Sequence, residues 1–294
     1  MKRSTQGALA MLFVYILWGI LPFYWRALES VNAVEILAHR VVWSCLLTFL
    51  LITAGGRTQS VIEPFRSNRR VLGMIALSSV AITANWGIFI WAVNNGRILE
   101  TSLGYFMIPL ISMLFGAVVL KENLTKIQRL AIAIAAAGLF LEVFTLGELP
   151  FVSISLAFSF GSYSLLKKLT AIESLVGFTI ETLFLTPFAL LWLIWLQYSS
   201  VAHFPYGVWT TSLLIGTGVV TSVPLVVFAW GVQRSAMTTV GLIQYTAPFL
   251  SFLIGVFVYH EPMPATRIIS FALTWASIII FTTESFWRAK HSNV

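Results

Sequence analysis

Most lysines, arginines and glutamates of this 294-residue sequence fall between long apolar runs, and two that do not are the natural starting point for chemistry. Arg40 lies inside the run 33–54, and Glu181 inside the run 176–198. A charge held away from water is expensive unless it is paired or used, so such a residue marks a functional position by default. Arginine offers a planar fork of donors suited to a carboxylate or another anion; glutamate can accept that fork or carry a proton. Arg40 is therefore expected to bind a solute anion or to pair with Glu181, and Glu181 to titrate with protons. The plainer alternatives are a structural ion pair, or side chains that snorkel to an interface. His39 adjoins Arg40, about 100° round the helix, so the two cannot face one point. Glu35 stands nearer the mouth of the same run.

Uncharged polar and aromatic residues gather in three other runs. Asn85 and Trp86 lie deep in one, with Trp91, Asn94 and Asn95 towards its end; Tyr105 follows in the next; Gln244 and Tyr245 lie in a later one. Buried amides must find a partner in a neighbouring helix, in water or in a solute. Asn85 is the favoured pocket-lining amide, whereas Asn94 and Asn95 fit helix caps. Trp18, beside Gly19, suits an aromatic wall, and its distance from the run's ends argues against an interfacial belt. Pro22, Pro109, Pro187, Pro224 and Pro248 all fall inside apolar runs. Each frees a backbone carbonyl and is expected to bend its helix, as a hinge or as an exposed acceptor. Glu122 and Glu261 sit just beyond run ends and suit a structural role.

Several chemistries lack their residues. The sequence has no phosphate loop of the GxxxxGK[ST] type, no HExxH and no GxSxG. It contains no aspartate, and Cys45 is its only cysteine, so a phospho-aspartyl pump, an Asp-based metal cluster, a CxxC pair and an internal disulfide are all excluded. No metal, no cofactor and no enzymatic activity are expected.

The elements that must position these residues follow from composition. Only 10% of residues are charged, too few to clothe a soluble globule, so the solvent for this surface is a bilayer. Apolar runs of spanning length lie near 7–26, 33–54, 71–94, 101–120, 126–145, 150–168, 176–198, 207–232, 237–259 and 265–285. The first follows Lys2 and Arg3 but lacks a small-x-small cleavage site, and reads as a retained span. Placing residue 1 in the cytoplasm puts every Lys and Arg on the inside except Arg40 within a span and Arg26, Arg97 and Arg267 outside. That asymmetry is the positive-inside pattern, so the net charge of +7 reports topology and not nucleic-acid binding. Ten spans with both termini cytoplasmic are expected, in a multi-pass bacterial inner-membrane protein.

An internal repeat shares this architecture. Phe89, Trp91 and Val93 match Phe228, Trp230 and Val232; Pro109, Ser112, Gly116 and Glu122 match Pro248, Ser251, Gly255 and Glu261, all at one offset. Five spans per half is an odd number, so the second copy enters the membrane from the opposite side. The expected fold is all-α, ten transmembrane helices arranged as two inverted five-helix repeats, residues 1–148 and 149–294. Such repeats are a common transporter construction, with substrate bound near the midplane between them.

The segments LGYFMIPLISMLFGAVVLKENLT (103–125) and GLIQYTAPFLSFLIGVFVYHEP (241–262) resemble the paired EamA modules of the drug/metabolite transporter superfamily. YILWGILPFYW (15–25), EILAHRVVWS (35–44), NWGIFIWAVNNGRILETSLGYF (85–106) and IETLFLTP (180–187) narrow the resemblance to one bacterial subfamily over nearly the whole chain. The resemblance implies a ten-helix permease. The expected function is thus a secondary transporter of small organic metabolites or drugs by alternating access, proton-coupled or facilitative, acting as a monomer or homodimer. A non-transporting receptor or assembly factor would need a docking region outside the membrane; an intramembrane enzyme would need an acid/base or metal constellation. Neither is visible in the sequence.

Overall fold

In an apolar solvent, backbone amides must bond within their own segment, which favours helices joined by short turns. The computed structural model describes residues 3–95, 97–146, 150–205, 207–257 and 265–291, and among them it is all-helical, without a strand. In chain order the helices are α1 (Arg3–Ile20), α2 (Pro22–Arg26), α3 (Ala33–Ala54), α4 (Thr58–Ser67), α5 (Arg69–Asn94), α6 (Ile98–Val118) and α7 (Lys126–Leu146). There follow α8 (Phe151–Leu169), α9 (Ser174–Tyr198), α10 (Val208–Arg234), α11 (Met237–Gln244), α12 (Thr246–Phe257) and α13 (Ala265–His291). Each apolar run coincides with one helix or, for α1/α2 and α11/α12, with a closely coupled pair. Arg3–Arg26, Ala33–Ala54, Arg69–Ala92, Ser174–Tyr198 and Val208–Arg234 are each long and apolar enough to cross a membrane.

One helix lies outside the expected spans. α4 places Val61 against Ile52, Val71, Ile75 and Ile180, and Phe65 against Phe184. Its apolar residues 61, 62 and 65 share one helical face, while its length and polar remainder fall short of a span.

Side-chain contacts sort the turns onto two faces. On one, Arg57 pairs with Glu173, Glu122 accepts from the amides of Met237 and Thr238, and Lys168 donates to the Ser235 carbonyl. This face gathers the Lys- and Arg-rich helix ends and is termed the basic face. On the other, Glu35 holds His203, and Glu100 reaches the amide and hydroxyl of the α8 N-terminus.

The most extensive helix contacts join the first half of the chain to the second: α7 with α13, α6 with α8, α3 with α9 and α10, α5 with α8, α1 with α10, and α11 with α6. Exchange each helix for its counterpart in the other half and the pairings map onto one another: α6·α8 becomes the contact of α11 and α12 with α1, and α5·α8 becomes α10·α1. The halves are interleaved rather than set side by side. Small residues permit this closeness. A Cβ at Gly218 would lie 2.6 Å from the Cβ of Trp43, and one at Gly241 would lie 2.6 Å from the Pro109 carbonyl oxygen.

The prolines act unequally. Leu21 interrupts the first apolar run just before Pro22, and Tyr245 interrupts the run 237–259 three residues before Pro248. Proline has no N–H to give, so the carbonyls of Trp18 and Gln244 lose their usual helical donors. Pro109, Pro187 and Pro224 instead lie within continuous helices. Of the repeat partners Pro109 and Pro248, only the second is accompanied by a break in its helix, and α6 packs against both α8 and α11.

Candidate functional site

Arg40 lies about two turns into α3 from the face opposite the basic one. Its Nε donates to Thr221 Oγ1 on α10 at 3.0 Å, and its guanidinium carbon sits 5.0 Å from the Trp25 ring centre and 4.7 Å from that of Trp86. Three helices thus hold the fork: α2 and α5 supply the indoles, α10 the hydroxyl. Partly desolvated cation–π contacts of this kind are worth up to about 2 kcal/mol each and keep the guanidinium plane fixed. Among the described residues no carboxylate lies within ion-pair distance of Arg40. Tyr105, on α6 and 42% exposed, also stands near Arg40.

Glu181, on α9, lines the same cavity as Arg40, together with Ser44, Trp86, Tyr163, Thr182 and Thr221. The cavity has clear room for about one water molecule. As it stands it is closed down, and an organic solute requires the helices to part. Glu181 does not pair with Arg40. Its carboxylate lies 2.6 Å from Lys167 Nζ and accepts from Ser78 Oγ, with the Tyr163 hydroxyl beside it. Lys167, assigned from the sequence to an inside connection, is instead buried, its side chain 6% exposed. The reason is geometric: α8 continues to Leu169 and turns Lys167 inward against α9, where the carboxylate supplies the counter-charge that burial requires. A second small cavity, likewise with clear room for about one water molecule, lies on the far side of this pair, lined by Ser78, Lys167, Thr170, Ser174 and Gln233. The ion pair is the partition between the two.

The remaining sequence candidates divide. Trp86 and Tyr105 join Arg40 as described. Trp18 is next to them in an aromatic stack with Tyr15, Phe160 and Phe228. Asn85 is turned away: its amide donates to the Leu156 carbonyl and to Ser159 Oγ, both at 3.0 Å, cross-linking α5 to α8. His39 is buried on another face of α3, accepting from Trp43 Nε1 at 3.1 Å with its ring 4.9 Å from that of Phe204. Gln244 and Tyr245 are buried at the break between α11 and α12; the Gln244 amide faces the Tyr15 hydroxyl, and neither makes a well-formed hydrogen bond. Asn95 caps its own helix through the Trp91 carbonyl at 2.8 Å.

Two carboxylates brace the ends of the bundle. Glu122 accepts from Met237 N at 2.6 Å, Thr238 N at 3.0 Å and Thr238 Oγ1 at 2.8 Å, capping α11 on the basic face. The structural role expected of Glu122 takes this form, while Glu261 lies outside the described residues. On the opposite face the fully buried Glu35 accepts from His203 N at 2.6 Å and lies 2.9 Å from His203 Nδ1. This holds the 199–207 connection over His39 and Trp43.

The sequence profile of the EamA-like transporter family matches residues 5–144 and again residues 150–283. The uncharacterized transporter YojE of Bacillus subtilis (strain 168) is 40% identical over 289 residues, 97% of each chain. Protein RarD of Escherichia coli (strain K12) is 37% identical over 293 residues, 99% of each chain. The chloramphenicol-sensitive protein RarD of Pseudomonas aeruginosa is 32% identical over 97% of this chain and 96% of its own. One crystal structure shares the fold with a TM-score of 0.70 at 17% identity, over 95% of this chain and 98% of that one.

Proposed function

Because this chain belongs to the EamA-like transporter family, in its RarD subfamily, we propose that it carries a small organic solute across a bacterial inner membrane by alternating access. Relatives over its full length are named transporters. The observation that carries the reading is Arg40, a cation fixed between two indoles on a cavity wall with a hydroxyl as its hydrogen-bond partner and, among the described residues, no carboxylate in ion-pair distance. A buried fork so arranged suits the anionic group of a solute whose body lies against the rings. The two halves, 1–148 and 149–294, are taken as inverted repeats that rock about this site, with the basic face and both termini cytoplasmic. The reciprocal helix pairings support that assignment.

Transport is taken to be facilitative with respect to protons. Lys167 gives Glu181 an internal counter-ion, so no proton is needed to keep that carboxylate buried. Purified protein in sealed proteoliposomes, screened for uptake of labelled metabolites, tests both statements. Arg40→Gln lowers uptake of every anionic substrate at least tenfold, and Arg40→Lys, which keeps the charge but not the stacked fork, recovers only part. Wild-type rates in both variants would remove Arg40 from the site. An imposed pH gradient leaves initial rates unchanged; acceleration that disappears in Glu181→Gln would make Glu181 a proton carrier instead.

A further inference from the structure

Two cations and one carboxylate line the route through the core. Arg40 and Glu181 stand on the wall of the first cavity and Lys167 on that of the second, with the Glu181–Lys167 pair joining the two walls. We propose that Lys167 and the second cavity form a second binding station for the solute's carboxylate, with Glu181 exchanging partners as the solute passes. This deepens the transport reading and rests on it.

The warrant is charge conservation in a low-dielectric interior. With solute at Arg40, the core holds two ion pairs, solute–Arg40 and Glu181–Lys167. When the carboxylate moves to Lys167, Glu181 is displaced into the first cavity, where Arg40 has just lost its partner. The core again holds two pairs, solute–Lys167 and Glu181–Arg40. Neither solute-bound state leaves a buried charge uncompensated, which is the condition that otherwise makes such a passage prohibitive. A single brace between α8 and α9 would not need a cavity behind it. Here the space beyond the pair is lined by the lysine itself and by hydroxyls of Ser78 and Ser174. The scheme also selects the ligand. A monocarboxylate matches one cation at each station, whereas a dianionic phosphate would bring a surplus negative charge to both.

Counterflow in proteoliposomes with 3-phenylpropionate, pyruvate and hippurate, three monocarboxylates of different bodies, tests the idea alongside equilibrium binding in detergent. Wild type exchanges at least one of them. Lys167→Gln combined with Glu181→Gln removes both charges, leaving no unpaired group; it binds that probe within threefold of wild type at Arg40, yet its counterflow falls at least tenfold. The reversed pair, Lys167→Glu with Glu181→Lys, keeps a salt bridge but faces the second cavity with an anion, and is equally inactive. Lys167→Arg retains exchange within several-fold. Wild-type counterflow in either double variant, or loss of binding in a monodisperse neutral one, overturns the second station and leaves the transport reading standing. Failure of wild type to exchange any of the three removes the carboxylate reading itself.

Discussion

Arg40 and Glu181 stand out in the sequence because a charge inside an apolar run has no bland explanation that water can supply. Their relation was not legible: pairing with each other was one of the two expectations for Arg40, and Glu181 is paired with Lys167 instead. Nothing in the sequence marks Lys167, since a lysine at the inner end of a span is what topology alone would place there. Only the packing of α8 against α5, α6 and α10, which leaves Lys167 reaching Glu181 on α9, reveals that it faces inward. Asn85 misled for the complementary reason, because a buried amide can be satisfied by a neighbouring helix as readily as by a solute, and the Leu156 carbonyl does so. At this scale the ion pair makes a stability prediction. Lys167→Gln alone leaves Glu181 buried without a counter-ion and destabilises the protein by about 3–5 kcal/mol, whereas adding Glu181→Gln recovers most of the loss. Thermal unfolding in micelles checks this; equal melting temperatures for the single and double variants would show that the pair contributes little.

Helices were far more legible than contacts. Each apolar run of spanning length became a helix, since composition and backbone hydrogen bonding leave a membrane segment few alternatives. α4 escaped because an amphipathic helix of ten residues lying along a face has neither the length nor the hydropathy of a span. The interruption at Tyr245 was only half visible: Pro248 announces it, but the identical signal at Pro109 leaves α6 continuous. Neighbouring helices decide whether a freed carbonyl becomes a bend. Gly218 shows how the element scale reaches the site, because its missing side chain lets α10 lie against Trp43, one turn from both Arg40 and Thr221. Gly218→Ala would set a Cβ 2.8 Å from the Trp43 carbonyl oxygen, contact that only a backbone shift relieves. Destabilisation of about 1–3 kcal/mol follows, with weakened binding of any Arg40-dependent solute. Gly73→Ala, where a Cβ meets nothing within 4 Å, serves as the neutral control. Identical melting temperatures for the two variants would show that the α3–α10 approach is loose.

For the whole molecule, the repeat read from Trp, Pro, Gly and Glu at one offset is matched by helix pairings that exchange between halves. What the sequence could not convey is the interleaving: two copies that fold largely against each other must move as interlocked groups of helices, not as two lobes about a linker. In the conformation seen, the cavity beside Arg40 is nearly closed, and Glu122 clamps the basic face through the α11 N-terminus. Alternating access therefore requires that the Glu122 clamp open while the opposite face closes. The most direct measurement places a single cysteine at Thr182, on the cavity wall, in a Cys45→Ala background and follows its reaction with an impermeant maleimide in right-side-out and inverted vesicles. Labelling is expected from both sides, and a second experiment with Glu122→Cys cross-linked to Thr238→Cys should abolish it from the basic face alone. Labelling confined to one face in every condition, or undiminished by the cross-link, would contradict a site that opens to each side in turn.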